Sequence, residues 1–194
     1  MTILVVNCNH WIGFHVVNYL LENGMEVEGL LNDKEDESLS LFFGRNSNFI
    51  FYSHKRDNRY NLIIQIGQME VPSAVSSDYS IVLDYKQPEK IRATDLFIEL
   101  PLLFGEWMPM TEKGMYMNQH FIPFSSTHFL EHAIYIKDFV KSLMDWLETD
   151  DDYKKLTVIK KNQLEKILQI RDNKPNKDKL EQVIRHYCLF RNKD

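Results

Sequence analysis

The chain has 194 residues, a formal net charge of −5 and 44% hydrophobic residues, values that suit one soluble globular domain with a full core. Its apolar runs are too short to cross a bilayer, and the N-terminus carries no basic segment of the signal-peptide kind. Lys and Arg are dispersed under a net negative charge, which disfavours nucleic acid, and the two cysteines, Cys8 and Cys188, have neither disulfide-framework nor zinc spacing, so a reducing cytoplasmic setting is expected.

Ile3-Leu4-Val5-Val6 reads as a buried strand. The polar loop Asn7–His10 follows, then an amphipathic helix over about Trp11–Glu22 that ends at Asn23-Gly24. Glu26–Leu31 predicts the second strand, with a polar stretch, Asn32–Glu37, opening a short helix or turn. Asn48–Ser53 and Asn61–Ile66 predict the third and fourth strands. Asp78–Asp84 is favoured as a strand by its β-branched centre, although periodicity alone leaves a helix open. Leu96–Leu100 is a further strand. Ala133–Ile136 predicts a strand handing over to a helix at about Lys137–Glu148. Leu156–Ile159 and Asn162–Ile170 predict a late strand and helix, and Asp178–Arg191 predicts a closing helix with Leu180, Val183, Ile184 and Tyr187 on one stripe. The acidic run Glu148–Asp152 reads as a solvated connection.

The strand, loop and helix of the first 24 residues resemble the start of the extended short-chain dehydrogenase/reductase family, the NAD-dependent nucleotide-sugar epimerases and dehydratases. The family's G-x-x-G-x-x-G loop places its glycines at Asn7, His10 and Gly13, of which only Gly13 remains. In that motif the first glycine makes the tight turn, the second lets backbone approach the pyrophosphate, and the third lets helix pack on strand. The chain therefore keeps the glycine that serves the fold. Asn tolerates the left-handed conformation that position 7 needs; an imidazole at position 10 occupies space that the phosphates require. The acidic residue that ends the family's second strand and binds the adenosine ribose falls at Leu31 or Asn32, so that carboxylate is missing, with Asp33 close by. Further likenesses follow in order: Gly67-Gln68 after the fourth strand, Pro101–Gly105, Tyr135–Val140 in the manner of a "Y-V-x-D-V" segment, and the closing helix.

The resemblance implies an α/β, Rossmann-like fold with a mostly parallel sheet and flanking helices. It divides the chain into a core over residues 1–103 and a remnant of the substrate-binding region over 104–194, packed as one unit. The chain is short for the family, and the shortening falls between Gly67 and Phe97. There the family carries two long helices that form its four-helix dimer, together with a catalytic Ser/Thr and a Tyr-x-x-x-Lys pair. None of the nine tyrosines here has Lys four residues on; Tyr52 meets Arg56, at the third strand, and Tyr187 meets Arg191. No catalytic residue is assigned, no cofactor is expected with NAD(P) kept as an alternative, and no family-type dimer is expected.

Other chemistry is sparse. His128 and His132 share a helical i, i+4 spacing but have no third ligand in pattern, and an exposed loop or turn is the favoured reading, so no metal is assigned. Cys8 stands at a helix N-terminus, where the dipole favours thiolate, but a buried small side chain is favoured. Phe104–Phe124 concentrates methionines and aromatics. It reads as a small core under a loop or, where exposed, as a partner or ligand surface built from Trp107, Met108, Met110, Met115, Tyr116 and Met117. The degenerate cofactor loop contributes Asn7, His10, Gly13 and Asn32. The expected function is non-catalytic binding, first of a protein partner. A nucleotide or nucleotide-sugar module in the old cleft comes second, and an active reductase or epimerase with substitute residues comes last.

Overall fold

The computed structural model describes residues 2–35, 37–53, 59–89, 92, 95–149, 156–168 and 177–191. In chain order the elements are β1 (Thr2–Val6), α1 (Trp11–Glu22), β2 (Glu26–Leu30), a 3-10 turn (Glu37–Phe42), β3 (Phe49–Phe51), β4 (Arg59–Ile66), β5 (Ser76–Asp84), β6 (Asp95–Glu99) and β7 (Leu103–Phe104). Then come β8 (Met110–Thr111), β9 (Gly114–Met117), β10 (His120–Pro123), α2 (Thr127–His132), β11 (Ile134–Tyr135), α3 (Ile136–Thr149), β12 (Val158–Ile159), α4 (Lys161–Ile167) and α5 (Lys177–Arg191).

Seven strands form one parallel sheet in the order β3-β2-β1-β4-β5-β6-β12. This is the doubly wound α/β order, and its direction reverses between β1 and β4, where such sheets open a crevice beyond the strand ends. The first four strands are parallel as the sequence predicts, and α1 spans Trp11–Glu22 as expected. The open choice at Asp78–Asp84 resolves to a strand, because Ile81, Val82 and Leu83 are buried between β4 and β6.

One face of the sheet packs on α1 and α3. Ile3, Val5, Ile64, Ile81 and Ile98 join Ile12, Val16, Phe139 and Leu143 in a single core that runs on through Phe104 and Phe129. The other face lacks crossover helices: among the described residues, the connections β4–β5 and β5–β6 contain none. Purely parallel sheets are normally covered by helices on both faces. Here the second face is capped by a smaller cluster in which Leu4, Val6, Tyr60 and Ile63 meet Val75, with Met69 and Val71 packed beside them. Beyond that cluster the face carries buried Val82 and Phe97 together with a polar group, in which Arg92 reaches Ser80 Oγ at 3.2 Å and the Asp95 carboxylate at 3.1 Å. The shortened segment is thus matched by strands whose outer face can be satisfied without helices.

Two expectations need correction. His128 and His132 lie on the short helix α2 rather than on a loop, because the Ser126 hydroxyl accepts from the Phe129 amide and caps a helix there. Their rings are 5.2 Å apart. The short helix or turn expected to open from Asn32–Glu37 is found as the 3-10 turn Glu37–Phe42. Phe104–Phe124 is not a loop over a core: it is a strand and an antiparallel three-stranded hairpin sheet, β10-β9-β8. Its Met108, Met110 and Met115 are themselves core side chains. The sequence readings that involve His54, Arg56, residues 150–152, Tyr153 and the helix end at 169–170 lie outside the described residues.

Candidate functional site

The β1–α1 loop lies at the sheet's switch point, and its geometry follows from its residues. Asn7 takes the left-handed conformation, φ 64°, in the place of a turn-forming glycine. Its Nδ2 donates to the Ile66 carbonyl at 3.2 Å, tying the end of β1 to the end of β4. Gly13 is where α1 comes nearest to this loop: a Cβ there would lie 2.3 Å from the Asn7 carbonyl oxygen and 3.0 Å from Cys8 Cα. Only a residue without a side chain permits that approach.

His10 caps α1. Its Nδ1 accepts from the Ile12 amide at 3.2 Å, and its own amide donates to the Asn7 carbonyl at 3.1 Å. The first amides of a helix are the groups that bind phosphate in this architecture. One of them is therefore engaged by the chain itself. Burial pushes the His10 imidazole down to about 4, so it is neutral at pH 7 and offers an anion no charge. Cys8 is fully buried, and burial pushes its thiol up to about 12, which makes it a packing side chain.

Asn9 does for the ribose end what His10 does for the phosphate end. Buried beside the end of β2, it accepts from the Asn32 amide at 2.8 Å and donates to the Asn32 carbonyl at 2.9 Å. Asn32 turns its own Oδ1 to the Lys34 amide at 3.1 Å, a local turn. The point where the resemblance requires a carboxylate is thus clipped shut by two asparagines. A cleft of about 570 Å³ persists over the strand ends, lined among others by Asn7, His10, Asn32, Gly67 and Tyr85. The residues do not fit a dinucleotide in the family's manner: Gly13 fits, whereas His10, Asn9 and Asn32 engage the groups that would hold it.

Sequence reasoning passed over a second constellation. The Glu106 carboxylate, almost fully buried, receives the Tyr135 hydroxyl at 2.9 and 3.1 Å, Lys137 Nζ at 3.1 Å and Gln182 Nε2 at 3.2 Å. His15 Nε2 donates to the Glu106 carbonyl at 3.1 Å, which fixes the Nε2-protonated tautomer. Burial alone would raise the Glu106 carboxyl, but its own backbone amide and Lys137 outweigh it and hold the group below the usual range. Burial and this carboxylate push the Tyr135 hydroxyl up, and burial holds the His15 imidazole well down. The register that pairs Phe104 with Tyr135 brings these groups together. Glu106 is the one charged residue between Glu99 and Glu112, and that isolation was the available signal.

Of the residues singled out in 104–124, Tyr116 is 43% exposed, and its ring lies 5.2 Å from that of Phe121, also 43% exposed. Trp107 and Met117 are half-buried. Among the described residues no group of three or more His, Cys, Asp or Glu is placed to hold a metal ion. No helix among them is long and apolar enough to cross a membrane.

Comparison with known proteins agrees on architecture. Yeast methylglyoxal/isovaleraldehyde reductase, solved in complex with NADPH, superposes with a TM-score of 0.56 at 12% identity over 100% of both chains. dTDP-glucose 4,6-dehydratase from Bacillus anthracis, in complex with NAD, gives 0.56 at 10% identity over 100% of this chain and 98% of that one. The chain has the fold of the NAD-dependent reductases and dehydratases. UDP-glucose 4-epimerase from Thermotoga maritima shares it, with a TM-score of 0.50 at 13% identity over 91% and 84% of the two chains. In sequence, the chain is 28% identical over 128 residues to the uncharacterized protein YjaV of Bacillus subtilis, covering 59% of this chain and 69% of that protein. No protein-family model matches the sequence. At the switch point of this fold, the chain's own Asn9 and His10 side chains bond to the Asn32 backbone and the Ile12 amide.

Proposed function

We propose that the chain is a non-catalytic relative of the NAD-dependent epimerases and dehydratases that acts by binding, with a protein as its partner. The observation that carries this reading is the double closure of the β1–α1 loop, by His10 on the Ile12 amide and by Asn9 on Asn32. The sequence supports the same reading, because none of its tyrosines has the Lys four residues on that the family's proton exchange uses. The partner surface is the β9–β10 hairpin, where Tyr116 and Phe121 form an exposed aromatic pair of the kind enriched at interfaces. The dispersed charge favours a protein over nucleic acid or a membrane, and two free cysteines, one of them buried, suit the cytoplasm.

A second reading, a nucleotide or nucleotide-sugar retained in the 570 Å³ cleft, draws support from Asn7. Its buried Oδ1 has no hydrogen-bond partner among the described residues, although its Nδ2 is fixed. Mass spectrometry of small molecules released by denaturing the purified protein separates the two. The binding-protein reading expects no NAD(P) and no nucleotide-sugar; stoichiometric release of either establishes the second. Turnover of NAD(P)H with common nucleotide-sugars should stay at background, and turnover abolished by changing a single tyrosine would overturn both.

A further inference from the structure

A larger cleft, of about 880 Å³, opens on the other side of His10 and Glu35, the two residues it shares with the strand-end cleft. Aromatic rings form much of its wall. Phe42 and Trp107 stand 5.5 Å apart at 52°, and Trp107 and Phe190 stand 5.1 Å apart at 54°. The rings are therefore steeply inclined to one another. Phe42 is 56% exposed and Phe190 53%, large apolar surfaces left open to solvent at the rim. Three separate segments supply these rings: the 3-10 turn, the loop after β7 and the end of α5.

The charge of the lining is one-sided. No Lys or Arg is among the described lining residues, and Glu35 is its one acidic side chain. Burial raises the Glu35 carboxyl, the mark of an anion short of solvation, and His10 is neutral at pH 7. Aromatic faces carry negative potential and attract ammonium or guanidinium groups near the ring, most strongly when several rings enclose the cation. A carboxylate beside such rings adds to that preference and repels phosphates and carboxylates. The volume lies in the range of small-ligand sites.

We infer that this cleft binds a small organic cation of the quaternary or alkylated ammonium class, seated against Trp107, Phe42 and Phe190 with Glu35 as its counter-charge. The inference stands apart from the closed dinucleotide site: it needs neither an open loop nor a protein partner. It also assigns a role to the exposed rings of Phe42 and Phe190.

The test uses the full chain and two probes, choline and benzyltrimethylammonium, followed by calorimetry and tryptophan fluorescence. 3,3-Dimethyl-1-butanol, which replaces the ammonium nitrogen of choline by carbon, is the uncharged control. At least one cation should bind saturably, and choline or its larger analogue should bind about tenfold or more tightly than the alcohol. Glu35→Gln should weaken cation binding by about fivefold or more while the melting temperature is kept. Because Trp107→Leu can perturb folding, Phe42→Leu, at an exposed position, provides an independent loss of affinity. The inference is overturned if neither cation binds saturably up to about 50 mM, if the alcohol binds as well as the cations, or if Glu35→Gln leaves cation affinity unchanged.

Discussion

The imidazole of His10 contributes to stability only while it is neutral, since it caps α1 through an unprotonated Nδ1. In the fold burial brings it down to about 4 from the ordinary 6.5. The unfolded chain therefore takes up this proton first as pH falls. The contribution is complete above about pH 6.5 and is lost progressively toward about 4. His15, likewise buried and neutral, acts in the same sense. His10→Asn keeps a capping acceptor but removes the titration, so urea unfolding of this variant should depend less on pH across that window than wild type. An identical slope would show that His10 does not titrate as described. Gly13→Ala places a methyl 2.3 Å from the Asn7 carbonyl, against backbone that cannot swing aside, and should cost about 2–3 kcal/mol or more in the same assay. Asn9→Ala leaves the Asn32 amide without its acceptor, while the Asn32 carbonyl keeps the Glu35 amide, and should cost about 1–3 kcal/mol. The left-handed Asn7 and the close packing at Gly13 were legible in the sequence, because each follows from one residue's own conformational limits. The Asn9–Asn32 clip was not, because it joins residues on two strands' ends, and asparagine forms such bonds wherever backbone is presented.

The helix α5 is attached by a few specific contacts. Val183 is its one fully buried apolar side chain. Gln182 reaches Glu106, Lys179 pairs with Asp138, and the rings of His186 and Phe190 meet Trp107. Glu106 thus links β7's loop, the start of α3 and α5. Glu106→Ala leaves the Tyr135 hydroxyl and Lys137 without their acceptor and should cost about 1–3 kcal/mol. Hydrogen exchange should quicken in residues 177–191 while the amides of β1 and β4 keep their protection; a uniform change across the chain would assign Glu106 to the general core instead. The helical stripe of α5 was legible from its periodicity. Its anchor was not, since nothing in a lone acidic residue shows that a strand pairing will bring Tyr135 and Lys137 to it. The hairpin β8-β9-β10 was missed for a related reason: its strands are two to four residues long, too short for an alternation to stand out from the surrounding methionines and aromatics.

At the scale of the molecule, the mostly parallel sheet was legible through the resemblance that the first 24 residues carry, whereas the strand order and its reversal at β1/β4 come from the structure. The loss of crossover helices between β4 and β6 was legible as missing length. How the sheet tolerates that loss was not, since it depends on Arg92, Ser80 and Asp95 meeting on one face. The central claim is that the fold of a dinucleotide enzyme persists here with its cofactor site closed from within. Its most direct test is calorimetric titration of the full chain with NADH and NADPH, beside the Asn7→Gly/His10→Gly double variant. The account predicts no saturable binding to wild type at about 1 mM dinucleotide, about −4 kcal/mol or weaker, and a measurable gain in the double variant. A micromolar or tighter dissociation constant for wild type, about −8 kcal/mol, would contradict it.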